Sequence, residues 1–172
     1  SLGAKIDTIT DFAAGSDNLD ITVAGNVAWD LTDKGDVASN VLGGALLSSA
    51  ATAGEYFFNT ATSQFVQDTD GNGLIQSGDT VITLTGATGF ASSDVNWTVS
   101  GSLANNVTTG GGADIITMVG DATNDATNNN IVVSGAGNDT ITIATAQGLT
   151  ANDSITGGEG TSDTLVIEDS GL

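Results

Sequence analysis

Gly110-Gly111-Gly112-Ala113-Asp114-Ile115-Ile116, Gly135-Ala136-Gly137-Asn138-Asp139-Thr140-Ile141 and Gly158-Glu159-Gly160-Thr161-Ser162-Asp163-Thr164-Leu165 write one phrase three times in the last third of a 172-residue chain. Each copy runs glycine, any residue, glycine, one or two residues, aspartate, then an apolar residue two positions on. Glycine tolerates positive φ, so such a phrase can close a tight turn and aim its carbonyl oxygens inward, with the aspartate adding a carboxylate beside them. The tail of each copy, as in Thr140-Ile141-Thr142, has the alternation of a short strand with one side chain turned into a narrow core. That assigns Ile116, Ile141 and Leu165 to the core. The aspartates fall 25 and 24 residues apart, which predicts three successive rungs with their glycine turns stacked on one side. Longer loops at Gly120 to Asn130 and Thr145 to Asp153 would close the other side.

At these residues the chain resembles the RTX family, the glycine- and aspartate-rich nonapeptide repeat proteins secreted by bacterial type I systems, which include toxins, proteases and surface-layer proteins. The resemblance implies a parallel β-roll, or β-helix, over residues 105–172, with calcium shared between adjacent turns. Its ligands would come from Asp114, Asp139 and Asp163 with the turn glycines Gly110, Gly112, Gly135, Gly137, Gly158 and Gly160. Three copies would then form two full sites and a partial one. In the family's regular form equivalent turns recur after about 18 residues, so the longer period here implies calcium on one side only. The third copy departs from the pattern, carrying one extra residue before Asp163. A nucleotide-binding glycine loop is a poorer reading, since no helical pattern and no lysine follow any copy.

Composition narrows the function. Twenty-one acidic residues against two lysines leave a formal charge of −19, while 39% of residues are hydrophobic. Such a chain repels nucleic acid and anionic membranes, yet it can build a core once its charge is neutralised. Divalent cations are the simplest neutraliser, and linkage would then make folding conditional on them. A chain that stays loose where calcium is scarce suits export as an unfolded polypeptide. There is no Cys, Pro or His, which excludes disulfides, thiolate chemistry, Ser-His-Asp catalysis and the usual zinc sites. No apolar run reaches the ~18 residues of a membrane span, so no membrane insertion is expected. The opening residues read as the middle of a domain, which suggests a piece of a longer protein.

Residues 1–22 carry Asp7-Thr8-Ile9-Thr10-Asp11-Phe12 and Asp17-Asn18-Leu19-Asp20-Ile21, apolar teeth between acids that predict two short strands around Gly15-Ser16. The phrase is similar to a segment found after a run of repeats in the same family. That likeness implies that Asp7, Asp11, Asp17 and Asp20 edge a calcium-bound roll ending here; a solvated acidic hairpin is the other reading. Over residues 23–104 a β-rich region is expected. Asp36 could cap a short helix through Val37, Val41, Leu42 and Leu46. Strands follow at Tyr56-Phe57-Phe58, Gln64-Phe65-Val66, Val81 to Leu84 and Val95 to Val99.

Between two of those strands lies Asp68-Thr69-Asp70-Gly71-Asn72-Gly73-Leu74-Ile75-Gln76-Ser77-Gly78-Asp79, which resembles an EF-hand loop. Asp68, Asp70 and Asn72 fill positions one, three and five, Gly73 makes the sharp turn, Leu74 would give its carbonyl, Ile75 is the buried apolar residue, and Asp79 closes the loop at twelve. The flanks read as β, so a static site is expected rather than a helix-loop-helix sensor. Aspartate at twelve, shorter than glutamate, should weaken calcium and tolerate magnesium. A plain hairpin turn is the alternative.

The chain thus reads as an all-β, non-catalytic, calcium-dependent segment of a secreted bacterial cell-surface protein of surface-layer or adhesin type, with self-association into a surface array. Cell-surface polysaccharide is a further candidate partner, for which Trp29, Tyr56 and Trp97 are the available aromatics. The alternative is the repeat region of a larger secreted enzyme or toxin.

Overall fold

The computed structural model describes residues 6–24, 28–38, 53–100, 105–119, 129–144 and 149–168. The chain is all-β. Its strands are β1 (Ile6–Ile9), β2 (Leu19–Ala24), β3 (Asp30–Val37), β4 (Tyr56–Asn59), β5 (Gln64–Gln67), β6 (Thr80–Leu84), β7 (Val95–Ser100), β8 (Asn106–Thr108), β9 (Ile115–Val119), β10 (Ile131–Val133), β11 (Thr140–Ile143), β12 (Ser154–Thr156) and β13 (Thr164–Ile167). One 3-10 turn, Ser92–Asp94, precedes β7. The strands form an eight-stranded sheet in the order β1-β6-β5-β4-β3-β8-β10-β12 and a five-stranded sheet in the order β13-β11-β9-β7-β2.

Outside the hairpins β4-β5-β6, every pairing is parallel. From β2 to β3, and again from β7 to β13, the chain alternates between the two sheets, and each strand pairs with the next one to enter its own sheet. One strand from each sheet makes a rung. Register keeps like beside like. Ile21, Trp97, Ile116, Ile141 and Leu165 form one aligned column, and Val23, Val99, Met118, Ile143 and Ile167 the next. Leu31, Val107, Val132 and Ile155 align on the other sheet. The period of two along each strand turns these columns into the space between the sheets and leaves Thr and Asn on the outside. Strand β7 shows it plainly, with Val95, Trp97 and Val99 buried and the residues between them half-buried. Ile116 and Ile141 are buried as expected, whereas Leu165 is exposed because β13 is the last strand of its sheet.

Residues between β3 and β7 extend the larger sheet. β4 adds parallel to β3, β5 and β6 follow as antiparallel hairpins, and β1 joins β6. All four residues of β4 are buried because both faces of this region are covered. Tyr56 and Phe58 join the main core, where Tyr56 lies 5.2 Å from Trp97 and 5.4 Å from Phe65, and Phe90 stacks with Phe12 and Phe58. Phe57, Val66 and Val81 line the opposite face and are covered by Ile75. That contact seats the 68–79 loop against the sheet.

Two expectations change. Asp36 and Val37 lie in β3 and not at the start of a helix; Val41, Leu42 and Leu46 fall outside the described residues. The two N-terminal strands exist but do not pair as a hairpin. β1 lies beside β6 and β2 beside β7, and a turn in which Ser16 and Asp17 donate to the Ala13 carbonyl carries the chain between the sheets. Each N-terminal strand pairs with a neighbour far along the chain that local pattern cannot reveal.

Candidate metal centres

The three glycine phrases lie on top of one another. Each joins a strand of the larger sheet to one of the smaller, and Gly111, Ala136 and Glu159 bridge in parallel across successive turns. Ala136 N–H donates to the Gly110 carbonyl (2.8 Å) and Gly112 N–H to the Ala136 carbonyl (2.7 Å). One rung on, Glu159 N–H donates to Gly135 (2.7 Å) and Gly137 N–H to Glu159 (2.8 Å). The turns sit so close that a Cβ on Gly135 would fall 1.9 Å from the Gly110 oxygen, and one on Gly137 1.8 Å from the Gly112 oxygen. Gly158 and Gly160 meet the Gly135 and Gly137 oxygens at 1.9 and 2.0 Å in the same way. Close approach, beyond any preference for positive φ, is what demands glycine here.

Behind these turns the aspartates face inward. Asp114 falls in the column that Leu19 and Val95 occupy in earlier rungs, one position before the Asn96–Ile115 pair. Asp114 and Asp139 are each 1% exposed, while Asp163, at the end of the stack, is exposed. The carboxylates link the rungs, since Asp114 N–H donates to Asp139 Oδ1 (3.0 Å) and Asp139 N–H to Asp163 Oδ1 (3.2 Å). Thr109 Oγ1 lies 2.8 Å from both Asp114 Oδ2 and the Ser134 carbonyl. Asp114 Oδ1 and Asp139 Oδ2 remain buried with no hydrogen-bond partner. A desolvated carboxylate oxygen left bare is costly unless a proton or a cation sits against it. Burial pushes the Asp114 carboxyl up to about 6, with help from the charges of Asp139 and Asp33 and against the Thr109 hydroxyl.

That shift sets a pH dependence. With its folded pKa raised above the ordinary 3.8, Asp114 holds its proton more tightly in the folded chain than in the unfolded one. Its contribution is fully present below about 4 and is lost as pH rises through about 6. Burial raises Asp33 and Asp68 as well, in the same sense. Metal-stripped chain should therefore melt at a falling temperature from pH 4 to 7.5, checked by thermal circular dichroism. A melting temperature that climbs over that range would show the aspartates to be compensated some other way.

The second site is the 68–79 loop, an excursion between the paired strands β5 and β6. Asp68 and Asp79 are buried and Asp70 is exposed, and one carboxylate oxygen from each lies within 4.8 Å of the others. Among the described residues this is the one group of three or more such side chains whose ligand atoms converge. With calcium–oxygen distances of about 2.3–2.6 Å, ligands across one ion stand about 5 Å apart, so the spacing fits. Backbone amides shape the loop. Asp68 Oδ1 accepts from Gly71 (2.7 Å), Asp68 Oδ2 from Gly73 (2.8 Å), Asp79 Oδ1 from Thr69 (2.9 Å) and Asp79 Oδ2 from Gln76 (2.7 Å). Asn72 Oδ1 accepts from Leu74 N–H (2.8 Å), and the Leu74 side chain faces solvent. Gly71 and Gly73 hold φ of 71° and 75°, which close the turn.

The N-terminal acids do not gather in this way. Asp7, Asp11, Asp17 and Asp20 are all exposed; Asp17 Oδ2 closes its own turn on Ala13 N–H, and Asp20 Oδ1 accepts from Asn96 Nδ2. Trp29, Tyr56 and Trp97 are buried, so they offer no platform for a sugar. Lys34, the one basic residue among those described, lies 2.8 Å from the buried Glu55, so no other ion pair is found among the described residues.

Sequence reasoning missed a second side-chain ladder, just before β8, β10 and β12. Asn130 Oδ1 accepts from the backbone and side-chain amides of Asn105, and Asp153 Oδ1 accepts from both amides of Asn130. Its signal was an Asn or Asp directly before each of three strands. The hydroxyls of Thr109 and Ser134, each directly before a turn glycine, were missed as well. No helix among the described residues is long and apolar enough to cross a membrane. No family model matches the chain, and neither a curated protein nor a solved structure matches it.

Proposed function

We propose that this chain is a calcium-dependent structural segment of a secreted bacterial cell-surface protein, of surface-layer or adhesin type, with its stacked rungs forming an RTX-like parallel β-roll. The observation that carries the reading is the pair of buried aspartates, Asp114 and Asp139, each with one bare oxygen behind turns whose flanking glycines pack too closely to carry a Cβ. Their burial is costly without a counter-ion, and among the described residues no basic side chain stands beside them to serve. Calcium bound there would neutralise charge inside the stack.

Asp114 and Asp139 are the residues that would hold it, together with Asp68, Asp70 and Asp79 in the loop. Asp163 and the turn glycines stand in the same column. The role is non-catalytic: cation loading converts a repulsive chain of charge −19 into a rigid stack once it reaches a calcium-rich exterior. Neutralised surfaces can then approach one another, which is the basis for self-association into an array.

Light scattering on chelator-treated chain tests the assembly. Particle size should grow on adding millimolar calcium and stay constant with magnesium at the same ionic strength. A chain that remains monomeric in calcium would remove the array and favour a repeat region serving a larger secreted enzyme or toxin.

A further inference from the structure

Asn72-Gly73 is the one Asn-Gly pair in the chain and Asp70-Gly71 the one Asp-Gly pair, and both lie at the tip of the 68–79 loop. A glycine carries no Cβ to shield its amide nitrogen, so the side-chain carbon of an Asn directly before it is open to attack by that nitrogen. The tip is accessible as well. Asn72 and Asp70 are exposed, while Asp68, Gly71 and Gly73 are buried beneath them.

The folded loop ties up each group that this reaction needs. Gly73 N–H, the nucleophile, donates to Asp68 Oδ2 (2.8 Å). Asn72 Oδ1 accepts from Leu74 N–H (2.8 Å), and Asn72 Nδ2 donates to Asp70 Oδ2 (2.8 Å). Asn72 N–H reaches Asp70 Oδ1 (3.2 Å), and Gln76 Nε2 steadies the same carboxylate from 2.9 Å. Ring closure therefore requires the carboxamide to leave Asp70 and Leu74, and Gly73 N–H to leave Asp68. Bonds of this kind, local and at a surface loop, open well short of global unfolding.

We propose that Asn72 is a self-modification site, which deamidates when the loop tip opens and is held off while Asp68 and Asp70 keep their hydrogen bonds. Gly73 N bonds to Asn72 Cγ and gives up its proton. The Cγ–Nδ2 bond breaks, and Nδ2 leaves as ammonia with its own hydrogens and that proton. Water then opens the cyclic imide: attack at Cγ leaves aspartate, and attack at the main-chain carbonyl leaves isoaspartate, with the chain running through the side chain. Either product adds a negative charge beside Asp70. Isoaspartate also lengthens the main chain by one methylene, inside a turn that Gly71 and Gly73 close at φ of 71° and 75°. The change is irreversible, so each chain records how long its loop has stood open. It goes beyond calcium-dependent assembly and requires no cation in the loop.

Full chain aged at neutral pH in one calcium-containing buffer tests this. Peptide mass spectrometry locates the altered residue, and isoaspartyl methyltransferase labelling reads the rearranged product. The folded chain is compared with the chain in urea and with Asp70→Ala, an exposed change that removes the carboxylate holding Asn72 and whose fold circular dichroism verifies. Deamidation is expected at Asn72 ahead of every other Asn, and roughly tenfold or more slower in the folded chain than in urea. Asp70→Ala, still folded, should approach the rate in urea. First loss at another Asn, equal rates in the folded and urea-treated chain, or a folded Asp70→Ala as slow as the parent would each overturn the proposal.

Discussion

Gly137→Ala should abolish the stacked fold. The new Cβ would meet the Gly112 carbonyl oxygen at 1.8 Å and its carbon at 2.5 Å, both backbone atoms with no rotamer to relieve them. The residue also holds φ of 140°, where an L side chain is strained. Moving the turns apart would break Ala136 N–H to Gly110 and Gly112 N–H to Ala136 together. A loss of more than about 4 kcal/mol is expected, in the class of backbone clashes that few proteins survive. Gly86→Ala is the control, since Gly86 has φ of 90° with nothing near its missing Cβ; strain alone should cost about 1–3 kcal/mol. Urea denaturation in calcium measures both. Equal losses would mean that φ, and not the approach of the preceding turn, explains the glycines.

Asp139→Asn should change sign with calcium. The amide oxygen can still accept Asp114 N–H, so the rung link survives while the buried charge is removed. In chelator the variant should be the more stable chain, because one uncompensated charge is gone and the repulsion acting on Asp114 goes with it. In saturating calcium it should be the less stable one. A ligand at a thousandfold excess over its Kd stabilises by about 4 kcal/mol, and an amide at this position should forfeit most of that. Melting temperatures of the two chains, with and without calcium, would therefore cross. Parallel shifts would assign Asp139 a purely hydrogen-bonding role.

Much of this arrangement was legible in the residues because its cause is local and repeated. The three phrases predicted turns in one column and put Ile116 and Ile141 inside, since the alternation of β9 and β11 is set by their own side chains. Phe57, Val66 and Val81 read as strand residues for the same reason. What stayed hidden was non-local. Nothing in Ile6 to Ile9 points to Val81 as a neighbour, and the pairing of Leu31 with Val107 is obscured by the hairpins inserted between them. The sequence shows the glycines as residues that allow positive φ in a tight turn, while their stronger constraint comes from carbonyls a full rung away. The Asn105, Asn130 and Asp153 ladder was overlooked because amide-bearing residues before strands pass for ordinary loop composition. Leu165 misled for a different reason: its pattern is that of a core residue, but burial depends on having a following rung.

The most direct measurement is far-UV circular dichroism of chelator-treated chain titrated with calcium and, separately, with magnesium. A weak β signal is expected in chelator at neutral pH, with a cooperative gain selective for calcium at or below the millimolar range, as the carboxylates of Asp114 and Asp139 lose the penalty of their burial. Full β structure in chelator at neutral pH, unchanged by calcium, would contradict it.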